Sequence, residues 1–289
     1  MASCRTCLGS LLAALTLLGT PAGAVATPST FGSPKRHYLA LGDSIPYGYT
    51  RAKSLAGLPP SAFMGYVDRF AARLRVIRPD VQVTNYSCPE ERTATFVAGS
   101  CAWLQAGRAV HDAFAGSQLE AAERFLRAHP GKVSPITLTL WANDMGDFVR
   151  HCAGDFACIQ AQAPFAIAAY AARLQAILAR LRAAAPRAKI IVTGVWNSFV
   201  GLFPQIDPLL RSLDEAIAAV SAGAGATFAD TLPMFNPQGH VAAETATFCT
   251  LMLVCSANDP HPTEAGHGAI AALVIAASGY VADELDNDQ

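Results

Sequence analysis

The most informative segment of the chain is His37-Tyr-Leu-Ala-Leu-Gly-Asp-Ser44, in which a short apolar run leads directly into small polar residues. The run from 37 to 41 predicts a buried strand that ends at Gly42. Gly, Asp and Ser all favour turns, so Gly42-Asp43-Ser44 taken alone is more typical of a turn than of a reactive site. Ligands in open parallel sheets bind beyond the carboxyl ends of the strands, which is where this turn falls.

Strand-like and helical segments alternate along the rest of the chain. Further strands are predicted at 81–86, 136–141, 189–196 and 227–229, and helices at 63–76, from Ser117 onward, and at 164–185, 208–222 and 263–277. Strands separated by helices of this length pair in parallel through right-handed crossovers. The sequence therefore predicts an α/β fold in which helices cover both faces of one sheet.

Composition limits the classes of protein that the chain can belong to. Of its 289 residues 52% are hydrophobic and 15% are charged, which is enough apolar material for one sizeable core. Because no internal linker or repeat divides residues 37–285, we expect one domain there. The net charge is -1 and the basic residues are scattered, so nucleic acid is not expected as a partner.

The N-terminus has the order of an export signal. Basic Arg5 precedes an apolar run from 8 to 18, and small residues follow around Ala24 and Ala26. The run is shorter than the roughly 20 residues that cross a bilayer. We therefore predict a signal peptide at 1–26, a flexible leader at 27–36, and a secreted mature protein.

Six cysteines remain after the predicted cleavage, and an even number in an exported chain suggests disulfides. They fall into three pairs that are close in sequence, each flanking a segment expected to be a loop. The expected bridges are Cys88–Cys101, Cys152–Cys158 and Cys249–Cys255. The stretches 88–116 and 145–162 are expected to be loop insertions at one rim of the sheet. A metal site is not expected, since no Cys-x-x-Cys remains.

Three segments predicted at the strand-end rim carry groups suited to acyl transfer. A serine hydroxyl becomes nucleophilic when a base takes its proton, and the best candidate base for Ser44 is His261, which Pro260 and Pro262 hold between them. The oxyanion formed on attack needs hydrogen-bond donors. The N–H of Ser44, the side-chain amide of Asn143 and a backbone N–H near Glu90 are the candidates.

These segments resemble the sequence blocks of the GDSL-type, or SGNH, hydrolases. The stretch 37–44 resembles the first block, Asn85-Tyr-Ser-Cys-Pro89 the second, Asn143-Asp144 the third and Asp259-Pro-His-Pro-Thr263 the last, in the family's order. The resemblance implies a flavodoxin-like sheet of about five parallel strands in a three-layer αβα arrangement. It also implies ester hydrolysis through an acyl-enzyme, without a metal or other cofactor.

The chain departs from the family pattern at three positions. Glu90 stands where the second block usually has glycine, and Trp141 where the third has one. The family's aspartate three residues before the histidine is Asn258 here, whereas Asp259 is one residue closer. His261 can therefore be oriented by the Asp259 carboxylate, which we favour, or by Asn258 or a backbone carbonyl.

The sequence thus predicts a secreted, monomeric serine esterase or lipase that acts on small-molecule or lipid acyl esters, with at most transient contact with a lipid surface. One alternative is a carbohydrate-ester deacetylase that uses the same residues. Another is a secreted binding protein on the same scaffold, in which the changes at Glu90 and Asn258 reflect impaired catalysis.

Overall fold

Five parallel strands form a single sheet in this computed structural model, which describes residues 33–99, 101–197, 206–237 and 241–280. The strand order is β2-β1-β3-β4-β5, with every neighbouring pair parallel. The bounds are β1 His37–Gly42, β2 Gln82–Asn85, β3 Val133–Thr139, β4 Ile190–Thr193 and β5 Thr227–Ala229. The predicted signal peptide, part of the leader and residues 281–285 of the predicted domain lie outside the described residues.

Helices of widely different length connect the strands. They are α1 Ser44–Tyr47, α2 Arg51–Leu55, α3 Tyr66–Ile77, α4 Thr93–Ala98, α5 Ala102–Gln105, α6 Gln118–Ala128, α7 Ala142–His151, α8 Phe156–Ala184, α9 Asp207–Gly223, α10 Leu232–Phe235, α11 Val241–Leu251, α12 Val254–Ala257 and α13 Glu264–Ser278, with a 3-10 turn at Pro60–Ala62. The predicted α/β class and the flavodoxin-like sheet are confirmed.

The sheet is the centre of the core. Residues of β1, β3 and β4 such as Leu39, Ile136 and Ile190 are completely buried, as expected for strands covered on both faces. Helix α3 packs against α13, and α8 packs against both α6 and α9. Helix α6 begins with a capping box directly after Ser117, whose hydroxyl accepts from the N–H of Glu120.

The expectation of a loop insertion at 145–162 is wrong, because most of this stretch is helical. Helix α7 continues to His151, and α8 begins at Phe156, eight residues before the Pro164 taken as its start. Proline is favoured at the first position of a helix, which is why we predicted the helix start at Pro164. The preceding residues are good helix formers, and Asp155 caps them by accepting from the N–H of Ala157.

The segment around the third cysteine pair is also helical where a loop was expected. Cys249 lies in α11 and Cys255 in α12. The stretch 88–116 is closer to expectation, since it holds only the short helices α4 and α5. None of the helices in the described ranges is both long and apolar enough to span a membrane.

Candidate active site

Ser44 lies directly after β1, as the first residue of α1. The turn before it requires glycine, because Gly42 has a φ of 131° and an added Cβ would lie 1.9 Å from the carbonyl oxygen of Thr139. Asp43 caps α1 by accepting from the N–H of Ile45 at 2.9 Å. The close approach of β1 to β3 and the capped turn together hold Ser44 at the carboxyl edge of the sheet.

His261 lies in the connection between α12 and α13. Its carbonyl oxygen accepts from the N–H of Leu253 at 2.9 Å, and the next residue, Pro262, forms a bridge with Met252. Thr263 then caps α13 by accepting from the N–H of Gly266. The backbone on both sides of the imidazole is therefore fixed by the fold.

The structure brings Ser44, His261 and Asp259 together in one hydrogen-bonded chain. Nε2 of His261 lies 3.0 Å from Oγ of Ser44, and Nδ1 lies 2.5 Å from Oδ1 of Asp259. Oδ2 of Asp259 accepts from the backbone N–H of Arg51 at 2.6 Å. These contacts place a hydroxyl, an imidazole and a carboxylate in the geometry of a catalytic triad.

The electrostatics around Asp259 favour its charged form. Burial alone would raise the pKa of this carboxyl, but the hydrogen bonds from His261 and from the N–H of Arg51 outweigh it, so the pKa is lower than usual. Asn258, the alternative partner of the histidine, adopts a left-handed conformation as the C-cap of α12. In this geometry the carboxylate of Asp259 is the group that meets the imidazole.

Asn143 and Glu90 lie on the same cavity as Ser44 and His261. Asn143 belongs to the first turn of α7, and one N–H of its amide donates to the carbonyl oxygen of Glu91 at 3.0 Å. An amide nitrogen has two hydrogens, so the second remains for another acceptor. Glu90 has a φ of 70°, so it adopts the backbone conformation that favours glycine without being one.

The cavity has a volume of about 180 Å³. Its lining consists of Ser44, Tyr49, Arg51, Pro89, Glu90, Trp103, Asn143, Asp259, Pro260 and His261. The candidate residues therefore line one small space, with the exception of Asn258.

Gln118 is a buried residue that ties the serine turn to the segment that carries Glu90. Its Oε1 accepts from the N–H of Gly42 at 2.6 Å, and its Nε2 donates to the carbonyl of Gly42 and to the carboxylate of Glu91, both at 3.0 Å. Asn143 donates to the carbonyl of the same Glu91. One side-chain amide thus couples the positions of three parts of the site.

Acidic side chains surround the base of the serine turn. Burial, together with the nearby carboxylates of Asp144 and Glu91, raises the pKa of Asp43 to about 7. Asp144 is itself bound by Arg173 and by the hydroxyl and N–H of Thr93. Asp144 therefore anchors α4, while its neighbour Asn143 faces the cavity.

The six cysteines form the three expected bridges. The structure joins Cys88 to Cys101, Cys152 to Cys158 and Cys249 to Cys255. The first of these lies beside the cavity, in a small apolar cluster that also contains Trp103 and Tyr47. It therefore connects the segment of Glu90 to the wall formed by Trp103.

Sequence reasoning missed several residues of the site. Tyr49, whose ring lies 4.7 Å from that of His261, and Trp103 line the cavity, and Arg51 supplies a backbone N–H. For Tyr49 and Arg51, the signal in the sequence was their position shortly after Ser44. Trp103 had no such signal. Trp141, which stands where the family's third block has glycine, is buried against Trp196 with ring centroids 5.1 Å apart.

Over the ranges that the structure describes, no three His, Cys, Asp or Glu side chains are grouped in a way that holds a metal ion.

Comparison with known proteins finds a matching family and several similar structures. Residues 40–269 match the model of the GDSL-like Lipase/Acylhydrolase family. Phospholipase A1 from Streptomyces albidoflavus NA297 is 20% identical, with 84% of this chain and 99% of that chain covered and a TM-score of 0.57. The extracellular lipase of Streptomyces rimosus is 20% identical, with 83% and 99% covered and a TM-score of 0.56.

A third similar structure acts on a different kind of ester. Axe2, an acetylxylan esterase from Geobacillus stearothermophilus, is 17% identical, with 87% of this chain and 97% of that chain covered and a TM-score of 0.52. No curated protein sequence matches this chain. At 17–20% identity, the structural matches support the fold alone. The assignment to a family rests on the family model, which covers residues 40–269.

Proposed function

The chain belongs to the GDSL-like lipase/acylhydrolase family and is a carboxylic ester hydrolase, and we propose that it works through an acyl-enzyme formed on Ser44. The observation that carries the proposal is the continuous hydrogen-bonded chain from Ser44 through His261 to Asp259. This series of hydrogen bonds weighs against the alternative of a binding protein with impaired catalysis, because binding alone does not require a hydroxyl, an imidazole and a carboxylate to be hydrogen-bonded in sequence.

The proposed reaction begins with attack of Ser44 Oγ on the ester carbonyl carbon. The hydroxyl proton passes to Nε2 of His261, and the carboxylate of Asp259 stabilises the imidazolium that forms. The imidazolium then protonates the departing alcohol as the tetrahedral intermediate collapses to the acyl-enzyme. Water, deprotonated by the same Nε2, attacks the acyl carbon and releases the acid and free Ser44.

The oxyanion of each tetrahedral intermediate requires donors that are already in place. We assign this role to the N–H of Ser44, the second N–H of the Asn143 amide and the backbone N–H of Glu90. The left-handed backbone of Glu90 supports this assignment, since it reproduces the conformation of the glycine usual in the family. The Glu90 side chain is exposed, which keeps its charge in solvent.

The surroundings of the cavity favour acyl esters with apolar parts over acetylated carbohydrate. Trp103, on the wall of the cavity, also lines a neighbouring groove of about 640 Å³ together with Phe63, Leu55 and Leu58. An apolar groove of this kind accommodates hydrocarbon better than sugar hydroxyls. Activity on acetyl-xylan, compared with activity on esters of increasing acyl length, tests the deacetylase alternative.

We further propose that the enzyme is secreted and acts as a monomer on small-molecule or lipid esters. Three disulfides support export, because such bonds persist in oxidising compartments. The order of residues at the N-terminus is that of an export signal.

The decisive experiment is Ser44→Ala, assayed on a chromogenic acyl ester. Loss of hydrolysis by at least about 10⁴-fold is expected, with a thermal unfolding midpoint close to that of the parent. Ser212→Ala, at an exposed serine in α9, is the matched control and should remain active. A fluorophosphonate probe should label the parent and not Ser44→Ala; labelling of both, or turnover by a clean preparation of the variant, would rule out Ser44 as the nucleophile.

A further inference from the structure

Residues 49–64 form a loop, the 49–64 loop, that leaves and re-enters the fold at one point. Gly48 has a φ of 75°, and a Cβ added to Gly65 would lie 3.0 Å from the Cα of Gly48. The two ends of the loop are therefore in contact, as in compact surface loops that pack on their own side chains. Helix α2 and the 3-10 turn lie between them.

The inner face of the 49–64 loop is aromatic and packs against the active site. Phe63 is buried and stacks on Tyr49 with centroids 6.2 Å apart, and it contacts Tyr47 at 5.1 Å. Tyr49 in turn contacts Trp103 at 5.6 Å and His261 at 4.7 Å. The loop is thus held rigidly beside the imidazole, and whatever binds its outer face is brought next to the cavity.

The outer face of the same loop exposes large apolar side chains. Leu55 is 82% exposed, Met64 58% and Leu58 43%. Leu55 shares one surface depression with Met64 and another with Leu58, so the three side chains are neighbours. Single exposed hydrophobic residues are ordinary, but three together on one loop indicate a surface that binds something apolar.

Basic side chains surround this apolar face. Residues 44–67 contain Arg51 and Lys53 and no Asp or Glu. Across the groove, the guanidinium of Arg108 lies over the Trp103 ring at 5.0 Å. In the described part of the chain, none of these three cations has a carboxylate within ion-pair distance.

The nearest acidic side chains do not cancel this positive charge. Glu264 borders the same surface depression as Leu55, but it forms an ion pair with Arg69. Asp259 also borders it, but its carboxylate is buried and bound by His261 and the Arg51 N–H. The surface as a whole is an apolar patch with unneutralised cations at its edge.

We infer that the 49–64 loop, with Arg108, binds the surface of an anionic lipid aggregate and thereby holds the active-site cavity against it. The inference rests on the proposed function, since it names the surface through which this ester hydrolase meets a lipid substrate. Leu55, Leu58 and Met64 enter the headgroup region, while Arg51, Lys53 and Arg108 lie at the level of the lipid phosphates. An apolar patch with a basic edge fits that boundary because each lipid layer matches one part of it.

Binding is measured separately from catalysis by using Ser44→Ala as the parent, so that no lipid is consumed. The protein is co-sedimented with vesicles of phosphatidylcholine alone and of phosphatidylcholine with 30 mol% phosphatidylglycerol, at low and high salt. We expect binding to the anionic vesicles that weakens at high salt. On this parent, Leu55→Ser with Met64→Ser should lower the partition coefficient by about tenfold or more, because both substitutions remove the favourable free energy of transferring an apolar side chain out of water.

Two matched controls lie elsewhere on the surface. Val76→Ser with Phe165→Ser removes two other side chains that are 65% and 72% exposed, and it should leave vesicle binding unchanged. Lys53→Glu should weaken binding to anionic vesicles by about fivefold or more, whereas Lys132→Glu, before β3, should not. Equal losses in the test and control variants, or full binding by Leu55→Ser with Met64→Ser, would overturn the inference.

The outcomes also separate this inference from the proposed function. In the active enzyme, Met64→Ser, at a residue that lines neither the cavity nor the groove next to Trp103, should weaken vesicle binding but leave hydrolysis of a water-soluble short acyl ester within about twofold of the parent. If the enzyme hydrolyses this ester but binds no vesicles, the lipid-surface inference fails and the proposed function stands. If the protein binds vesicles but hydrolyses no ester, the proposed function fails and the lipid-surface inference stands. A concentration-dependent dimer that the double substitution abolishes, without vesicle binding, would assign the patch to a second copy of the chain.

Discussion

Replacement of Asp259 by asparagine is the most direct test of what orients His261, the proposed catalytic base. Both oxygens of this carboxylate accept hydrogen bonds, one from Nδ1–H of His261 at 2.5 Å and one from the N–H of Arg51 at 2.6 Å. Asparagine has one oxygen and one NH₂, so it cannot accept from both. The backbone N–H of Arg51 cannot turn away, and we expect it to keep the amide oxygen.

The NH₂ of the asparagine then faces Nδ1 of His261. The imidazole must present a lone pair at Nδ1 and carry its proton on Nε2, the nitrogen that lies 3.0 Å from Ser44. In this tautomer Nε2 cannot take the serine proton. We therefore expect kcat to fall by about 10⁴, which corresponds to roughly 5.5 kcal/mol of activation free energy, with KM nearly unchanged.

The assay is steady-state hydrolysis of a soluble chromogenic ester at pH 7.5, with thermal unfolding measured on the same samples. Asp80→Asn, at an exposed aspartate that pairs with Arg78, is the matched control and should keep full activity. If Asp259→Asn retains more than a tenth of the parent kcat, another acceptor orients the imidazole. Asn258 or a backbone carbonyl would then take over that role.

The remaining predictions concern the structure around the triad. Gln118→Leu removes three buried hydrogen bonds to Gly42 and Glu91, so we expect a stability loss of about 2–4 kcal/mol in denaturant unfolding and a lower kcat with unchanged KM; an unaltered kcat would limit the residue to a structural role. Asp43 has a folded-state pKa of about 7, above its unfolded value, so it favours the folded state at low pH and this contribution is lost as the pH rises through about 7. Asp43→Asn should therefore flatten the decline in unfolding free energy between pH 4 and 8, by up to about 4 kcal/mol, and an unchanged pH profile would contradict the assigned pKa. Replacing Cys88 and Cys101 with serine opens a loop with a sequence separation of 13, and we expect a loss of about 3 kcal/mol in calorimetry and a greater loss of activity than with the pair at 152 and 158 replaced.

The class of fold and the candidate reacting groups could be predicted from the order of residues alone. Strands and helices leave their periods in the order of residues, so the alternation of segments predicted a parallel sheet with helices on both faces. Ser44 and His261 were identifiable because each lies in a short local pattern at a predicted strand end or helix start. The helical segments around the cysteines were not identifiable. Pro164 indicated a helix start, and the paired cysteines indicated loops, and both signals were stronger than the helix propensity of the residues between them.

How these groups come together depends on the folded chain as a whole. The hydrogen bond between Ser44 and His261 joins residues 217 positions apart, and local patterns do not specify such a distance. The same holds for the choice of Asp259 over Asn258, which depends on the backbone N–H of Arg51 at the start of α2. Gln118 and Trp103 entered the site for the same reason: a side chain's partners depend on which surfaces pack together, and packing is a property of the whole chain.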